Sequence, residues 1–272
     1  LITLAPTGAE TAKAAAPSLP VTRAELLAAA VAAEAAGAGL IHVHVRDDDG
    51  NSTLDPATVG AAVSALREHT GLVVQVSSGG AVGDSEEARL AVLDCGAEMA
   101  SLTMGTVNFG DEVFTNRWPF IVELHLRMRD RGIVPEYECF DLGHIAALHR
   151  LLDAHGLPAG GHVHVDLVMG VPGGMPGTAA ALVAAVGALP PAATFSATGV
   201  GRTTLPVALA ALSAGGHLRV GMEDVLTFAP GQPVRDNTQL VERAAALAAL
   251  AQRPPMGSDE ARAMVGLPSG TR

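Results

Sequence analysis

The stretch IHVHVRDDDG, residues 41–50, alternates apolar and imidazole side chains and then breaks into a run of aspartates closed by glycine. A period of two is the mark of a β-strand, so His42 and His44 project from the same face. The polar turn that follows sets the pair near the strand's carboxyl end. Two imidazoles in that position can share one metal ion.

Working outward, similar short β-branched runs fall at 1–4, 72–77, 98–103, 134–140, 162–169, 193–198 and 218–222, and the strand of the opening stretch spans 39–45. Between them lie Ala- and Leu-rich amphipathic stretches. The first helix is opened by Thr22 as a cap, and others are expected at 55–69, 84–93, 117–131, 142–155, 177–188, 204–214 and 237–252. A helix after every strand is the order of a (β/α)8 TIM barrel. A doubly wound open sheet gives the same alternation, but eight near-regular units in one chain favour closure. The expectation is α/β, a single catalytic domain over 1–272 with a C-terminal helical extension at about 253–272.

Composition agrees with that class. The chain has 272 residues, 49% of them hydrophobic but only 3% aromatic, so the core must be built from Ala, Val and Leu. A formal charge of −11 argues against a nucleic-acid or anionic-membrane surface, because both reward clustered Lys and Arg. Cys95 and Cys139 form no spaced framework, which points to reduced thiols. The opening LITLAPTGAE has no basic region ahead of an apolar run, and no stretch is long and apolar enough for a membrane span. A cytoplasmic protein is expected.

The glycine-rich linkers SSGGAVG (77–83), GVPGGMPG (170–177) and ATGVGRT (197–203) all follow strands, at the end where barrel active sites assemble. None is a Walker motif or a complete dinucleotide fingerprint, so nucleotide-driven phosphoryl transfer and hydride transfer are unsupported. The third metal ligand is sought in LRVGMEDVL (218–226), where Glu223 ends the eighth strand. In a closed barrel that strand is separated from the second only by the first. Two His and one carboxylate suit catalytic Zn²⁺ and equally non-haem Fe(II).

A second HxH, His162 and His164, begins its strand instead of ending it and is read as structural, as is His217. His69, His149 and His155 sit on or beside helices and are read as solvated. Arg219 shares strand parity with Glu223, and Asp224 follows at once, so a planar cation and two carboxylates converge on one rim. Asp224 reads equally well as a helix cap. Ser77, Ser78, Ser101, Thr103 and Thr106 offer hydroxyls around the third and fourth strand ends, and Gly79 lets backbone approach a ligand. Glu138, mid-strand in PEYECFD, is a candidate acid or base or one half of a structural ion pair. Glu10 caps the first loop or reaches the pocket.

Several segments together resemble the β-keto acid cleavage enzyme family: ITLAPTGAET, IHVHVRDDDG, QVSSGGAVG, ASLTMGTVNFGDEVFTN, GVPGGMPGT, TGVGRTTLPVALAALSAGGHLRVGMEDVL and DNTQLVERA. The resemblance runs nearly end to end. It implies a Zn²⁺-dependent barrel, usually a homotetramer, that exchanges an acyl unit between a β-keto acid and acetyl-CoA to give acetoacetate and a new acyl-CoA. It places the metal on His42, His44 and Glu223, and catalysis on Ser78, Glu138, Arg219 and Asp224. Substrate contact falls to Thr103 or Thr106, with Ser77 and Gly79 nearby, while Glu10 matches an acid associated with a substrate amino group. SSGG stands where many relatives read STGG, and FSATGVGR where an aromatic residue before serine is common. Those departures bear on substrate identity. A metal-dependent barrel hydrolase or aldolase, and a non-catalytic barrel that binds a small acid, are the rival expectations.

Overall fold

The structure, a computed structural model describing residues 1–268, is built around eight parallel strands: β1 (Ile2–Leu4), β2 (Leu40–Val43), β3 (Val73–Val76), β4 (Met99–Thr103), β5 (Val134–Cys139), β6 (His164–Met169), β7 (Thr194–Gly199) and β8 (His217–Val220). They pair in chain order, and β8 closes on β1 through Ile2 opposite Leu218 and Thr3 opposite Arg219. Each is followed by its helix: α1 (Arg23–Ala35), α2 (Pro56–His69), α3 (Glu86–Ala91), α4 (Trp118–Arg131), α5 (Leu142–His155), α6 (Ala179–Gly187), α7 (Thr204–Ser213) and α8 (Asn237–Leu250). This is the (β/α)8 barrel that the alternation predicts.

Local sequence explains where the helices start. Thr22 and Glu25 form a capping box on α1, Asp55 caps α2 with Pro56 in its first turn, and Asp141, Thr178 and Asp236 each accept a first-turn amide. Around the barrel the core is Val, Leu, Ile and Ala, as the aromatic-poor composition requires.

The two ends of the barrel differ. Leu1, just ahead of β1, and the residues that begin four further strands, Leu40, Val73, Met99 and Val134, pack with Ala261, Val265 and Leu267, so α9 (Ser258–Val265) plugs the amino end. A buried Arg262–Glu98 ion pair anchors it. The expected C-terminal extension thus contains α9, and its positions 269–272 lie outside the described residues. His164 and His217 sit at this end, 6.1 Å apart between ring centroids, and the His164 ring nitrogens meet Thr194 Oγ1 and Ser196 Oγ at 2.8 and 3.1 Å. His162 likewise meets Thr194 Oγ1.

Three antiparallel hairpins crown the carboxyl end: Val45–Arg46 with Ser52–Thr53, Val107–Phe109 with Glu112–Phe114, and Thr227–Ala229 with Gln232–Pro233. The first shortens β2 relative to expectation, for the chain leaves the barrel after Val43 and His44 lies in the junction. Among the described residues no helix is long and apolar enough to cross a membrane. Both cysteines are buried and unpaired with each other.

Candidate metal centre and active site

β8 also ends sooner than its sequence predicts, at Val220, and the reason lies in Gly221. A Cβ there would stand 1.8 Å from the carbonyl oxygen of Ala5, so only glycine lets the chain turn across the end of β1. Asn237 holds the turn from behind, accepting from the Met222 amide at 2.9 Å and donating to the Pro6 carbonyl at 3.0 Å. Glu223 and Asp224 are therefore delivered by a turn over the barrel mouth and not by strand parity. Gly8 completes the close approach, since its Cβ would meet Glu223 Cγ at 2.9 Å.

The turn brings Glu223 Oε1 to 3.9 Å from His42 Nε2 and 3.6 Å from His44 Nε2. One ligand atom from each of the three residues lies within 4.8 Å of the others. The second carboxylate oxygen, Glu223 Oε2, is buried with no hydrogen-bond partner, an arrangement that a cation would relieve. Burial pushes His42 down to about 3 with help from Arg219, and burial likewise lowers His44, so both imidazoles keep a free lone pair at neutral pH. Burial alone would raise the Glu223 carboxyl, but Arg219 and the two imidazoles outweigh it and hold it at about 2. Neutral imidazoles and an ionised carboxylate are the forms that bind a divalent metal. The residues present fit such an ion.

Behind His42 runs a polar relay. His42 Nδ1 meets Gln75 Oε1 at 2.5 Å, and Gln75 Nε2 donates to Glu136 Oε2 at 2.7 Å. All three side chains are buried. Burial pushes Glu136 up to about 7.

Arg219 stands at the centre of the carboxylates. Its Nε and Nη2 donate to the two oxygens of Asp224 at 3.2 Å each, Nη2 also pairs with Glu223 Oε1, and Nη1 reaches Glu138 Oε1 at 3.4 Å and Asp166 Oδ2 at 3.8 Å. Burial opposes the guanidinium charge, but Asp224, Glu223, Asp166 and Glu138 outweigh it and hold Arg219 firmly protonated. Burial raises Asp166 well above the usual carboxylate range, and Asp224 rises to about 6 for the same reason despite Arg219.

These groups floor a cavity of about 300 Å³. His42, His44, Ser77, Gly79, Glu138, Arg219, Glu223, Asp224 and, at the exposed rim, Glu10 line it. Ser78 and Thr103 stand behind the lining, the first donating to the Ser101 carbonyl at 2.5 Å and the second to Glu138 Oε2 at 2.7 Å. Thr106 is turned away, exposed, with its hydroxyl accepting from the Asn116 amide. Sequence reasoning overlooked Gln75 and Asp166, polar residues inside apolar strands at positions that face the barrel interior. Their signal was available, because a lone buried amide or acid in such a run requires a partner.

The sequence of residues 1–267 matches the family described as beta-keto acid cleavage enzyme. The chain belongs to the β-keto acid cleavage enzyme family. Within it, the 3-keto-5-aminohexanoate cleavage enzyme of Acetoanaerobium sticklandii is 38% identical over 273 residues, covering 98% of each chain. The 3-oxoadipate:acetyl-CoA acetyltransferase of Cupriavidus necator is 35% identical, covering 99% of this chain and 95% of its own. Among solved structures, apo ObcA superposes with a TM-score of 0.78 at 21% identity, over 92% of this chain and 66% of that one, a likeness of fold.

Proposed function

We propose that this chain is a metal- and acetyl-CoA-dependent β-keto acid cleavage enzyme, moving the acyl group of a β-keto acid to CoA and releasing acetoacetate. The observation that carries it is the convergence of His42, His44 and Glu223 beside a buried, fully charged Arg219 on one cavity floor. Family membership supports the reaction class. Zn²⁺ is the metal we assign, on the family resemblance, and the donor set of two imidazoles and one carboxylate suits it. The single catalytic domain expected from the alternation, the cytoplasmic setting expected from the cysteines and the opening residues, and the homotetramer implied by the family resemblance belong to the same reading.

When bound, the metal supplies Lewis acidity that polarises a substrate oxygen. His42, His44 and Glu223 would hold it. Arg219 binds the carboxylate of the β-keto acid: its Nη1 makes only long contacts to Glu138 and Asp166, and so is the donor left for an incoming anion. Asp224, on both remaining edges of the guanidinium, fixes its plane.

The first proton to move is on the carbon between the ketone and the carboxylate. Glu138 lines the cavity and is oriented by Thr103, and it takes that proton. Arg219 is excluded from this task, since the surrounding carboxylates hold its proton. The carbanion attacks the acetyl thioester carbonyl and CoA thiolate leaves. The thiolate then adds to the original ketone, the carbon–carbon bond breaks, and the electron pair returns to the central carbon. Glu138 gives its proton back, completing acetoacetate, while the original acyl group departs on CoA.

The test is acetoacetate formation from a β-keto acid and acetyl-CoA, with and without a chelator. Turnover undiminished without acetyl-CoA would favour a hydrolase or aldolase on the same barrel.

A further inference from the structure

The cavity has two unlike walls. One is backbone and small side chains from the loops after β1 and β3, among them Gly8, Thr11, Gly79 and Gly80. The other is hydrocarbon: Phe109, Phe114, Phe140, Val168, Val171 and Val200. Phe140 follows Glu138 by two residues, Val168 follows Asp166 and Val200 follows Thr198, so each apolar residue stands one layer nearer the mouth than a polar one. A substituent rising from the polar floor on that side meets only hydrocarbon.

No charge of either sign is free on that wall among the described residues. Glu10 is exposed at the rim, accepts from the Val82 amide at 3.1 Å and forms no ion pair among the described residues, the nearby Arg46 guanidinium being held by the Gly8, Thr11 and Gly50 carbonyls. Arg89 is near but committed, with its guanidinium on the Ser78 and Thr115 carbonyls and Asn116 Oδ1 and stacked over Phe114. Arg219 lies on the floor, where Asp224 and Glu223 hold two edges of its guanidinium and Nη1 is taken by the carboxylate common to every β-keto acid in the reading above. The three phenylalanines do not form an open aromatic cage either. Phe109 lies 6.5 Å from Phe114 and 6.2 Å from Phe140, edge to face, so the rings close on one another.

We infer that the acyl substituent accepted by this chain is uncharged and apolar, seated against Phe140, Val168 and Val200, and not the ammonium or second carboxylate named for its relatives' substrates. This rests on the acyl-exchange reading above. A charged substituent would lose its water against this wall and gain no partner. The cavity of about 300 Å³ accommodates a β-keto acid of short to medium chain.

Three six-carbon acids isolate the substituent: 3-oxohexanoate, 5-amino-3-oxohexanoate and 3-oxoadipate. With metal-loaded protein and saturating acetyl-CoA, kcat/KM for 3-oxohexanoate is expected to exceed both others by about tenfold or more. Equal or greater turnover of either charged acid would overturn the inference. Calorimetric binding of the same acids without acetyl-CoA is read in parallel and should rank them alike. Preferential binding of 3-oxohexanoate with no acyl exchange would therefore contradict the proposed reaction while upholding the substituent preference, and a charged acid binding best would overturn the preference whatever the turnover. Val200→Asp, at a half-buried position, should shift the ratio toward the amino acid by about tenfold. An unchanged ratio in a folded variant would place the substituent elsewhere and refute the assignment.

Discussion

The Nδ1 of His42 lies 2.5 Å from Gln75 Oε1, and Gln75 passes the contact on to Glu136. The pairing puts the imidazole proton on Nδ1 and leaves Nε2 with its lone pair toward Glu223. Gln75 is thus a positioning residue for the metal site. Gln75→Leu should weaken divalent-metal affinity by about 10- to 100-fold, read by competition with a chromogenic chelator. Unchanged affinity in a folded variant would mean the relay is structural only.

Arg219→Lys keeps the charge and loses the fork. The two contacts to Asp224 cannot both be made by an ammonium, so the cation is no longer held in one plane. The expected loss in kcat/KM is about 10²- to 10³-fold with metal content unchanged. Arg219→Met removes the only cation among four carboxylates, and it should destabilise the metal-free protein by about 3–5 kcal/mol in urea unfolding.

Glu138→Gln preserves shape and removes the proton acceptor. kcat should fall by about 10²- to 10⁴-fold while metal binding is retained. Exchange of the central-carbon protons of the β-keto acid with deuterated solvent should slow in parallel. Exchange at the wild-type rate would move the base elsewhere.

Most of the barrel, and the convergence of His42, His44 and Glu223, could be read from residue order, because strand period, caps and the polar break after His44 are all local signals. Two boundaries could not. β2 stops at Val43 because the hairpin at Val45–Arg46 and Ser52–Thr53 pairs outside the barrel, and β8 stops at Val220 because Gly221 passes against Ala5. The second depends on a contact distant in sequence, and the first on a local hairpin, Val45 to Thr53 and Arg46 to Ser52, that closes across the aspartate turn. Gln75 and Asp166 stand out as polar residues in apolar runs, but their partners do not, since Gln75 bridges to Glu136, 61 residues on, and the hydroxyl partner of Asp166, Thr198, lies 32 residues on. Thr106 shows the reverse limit: its place beside the fourth strand is evident, but its direction is set by the turn to Asn116.

The amino end of the barrel gives a pH prediction. His164 is fully buried and burial holds its pKa well below the ordinary value, while burial brings His217 down to about 3. Both are neutral when folded, whereas the unfolded chain protonates them below about pH 6.5, so stability falls as pH drops through that value. Each contributes a slope of about 1.4 kcal/mol per pH unit between there and its folded pKa. In urea unfolding, His164→Gln should reduce the loss between pH 7 and pH 5 by one proton's worth, and an unaltered slope would show that His164 takes its proton in the native state.

The central claim is that acetyl-CoA gives its acetyl group to the central carbon of the β-keto acid in the cavity above Glu223 and Arg219. Its most direct test is turnover with acetyl-CoA labelled with ¹³C at the carbonyl, followed by carbon NMR of the acetoacetate formed. The account predicts the label at the ketone carbon and none at the carboxylate, with formation abolished by Glu223→Gln. Unlabelled acetoacetate, or acid cleavage that proceeds without acetyl-CoA, would contradict it.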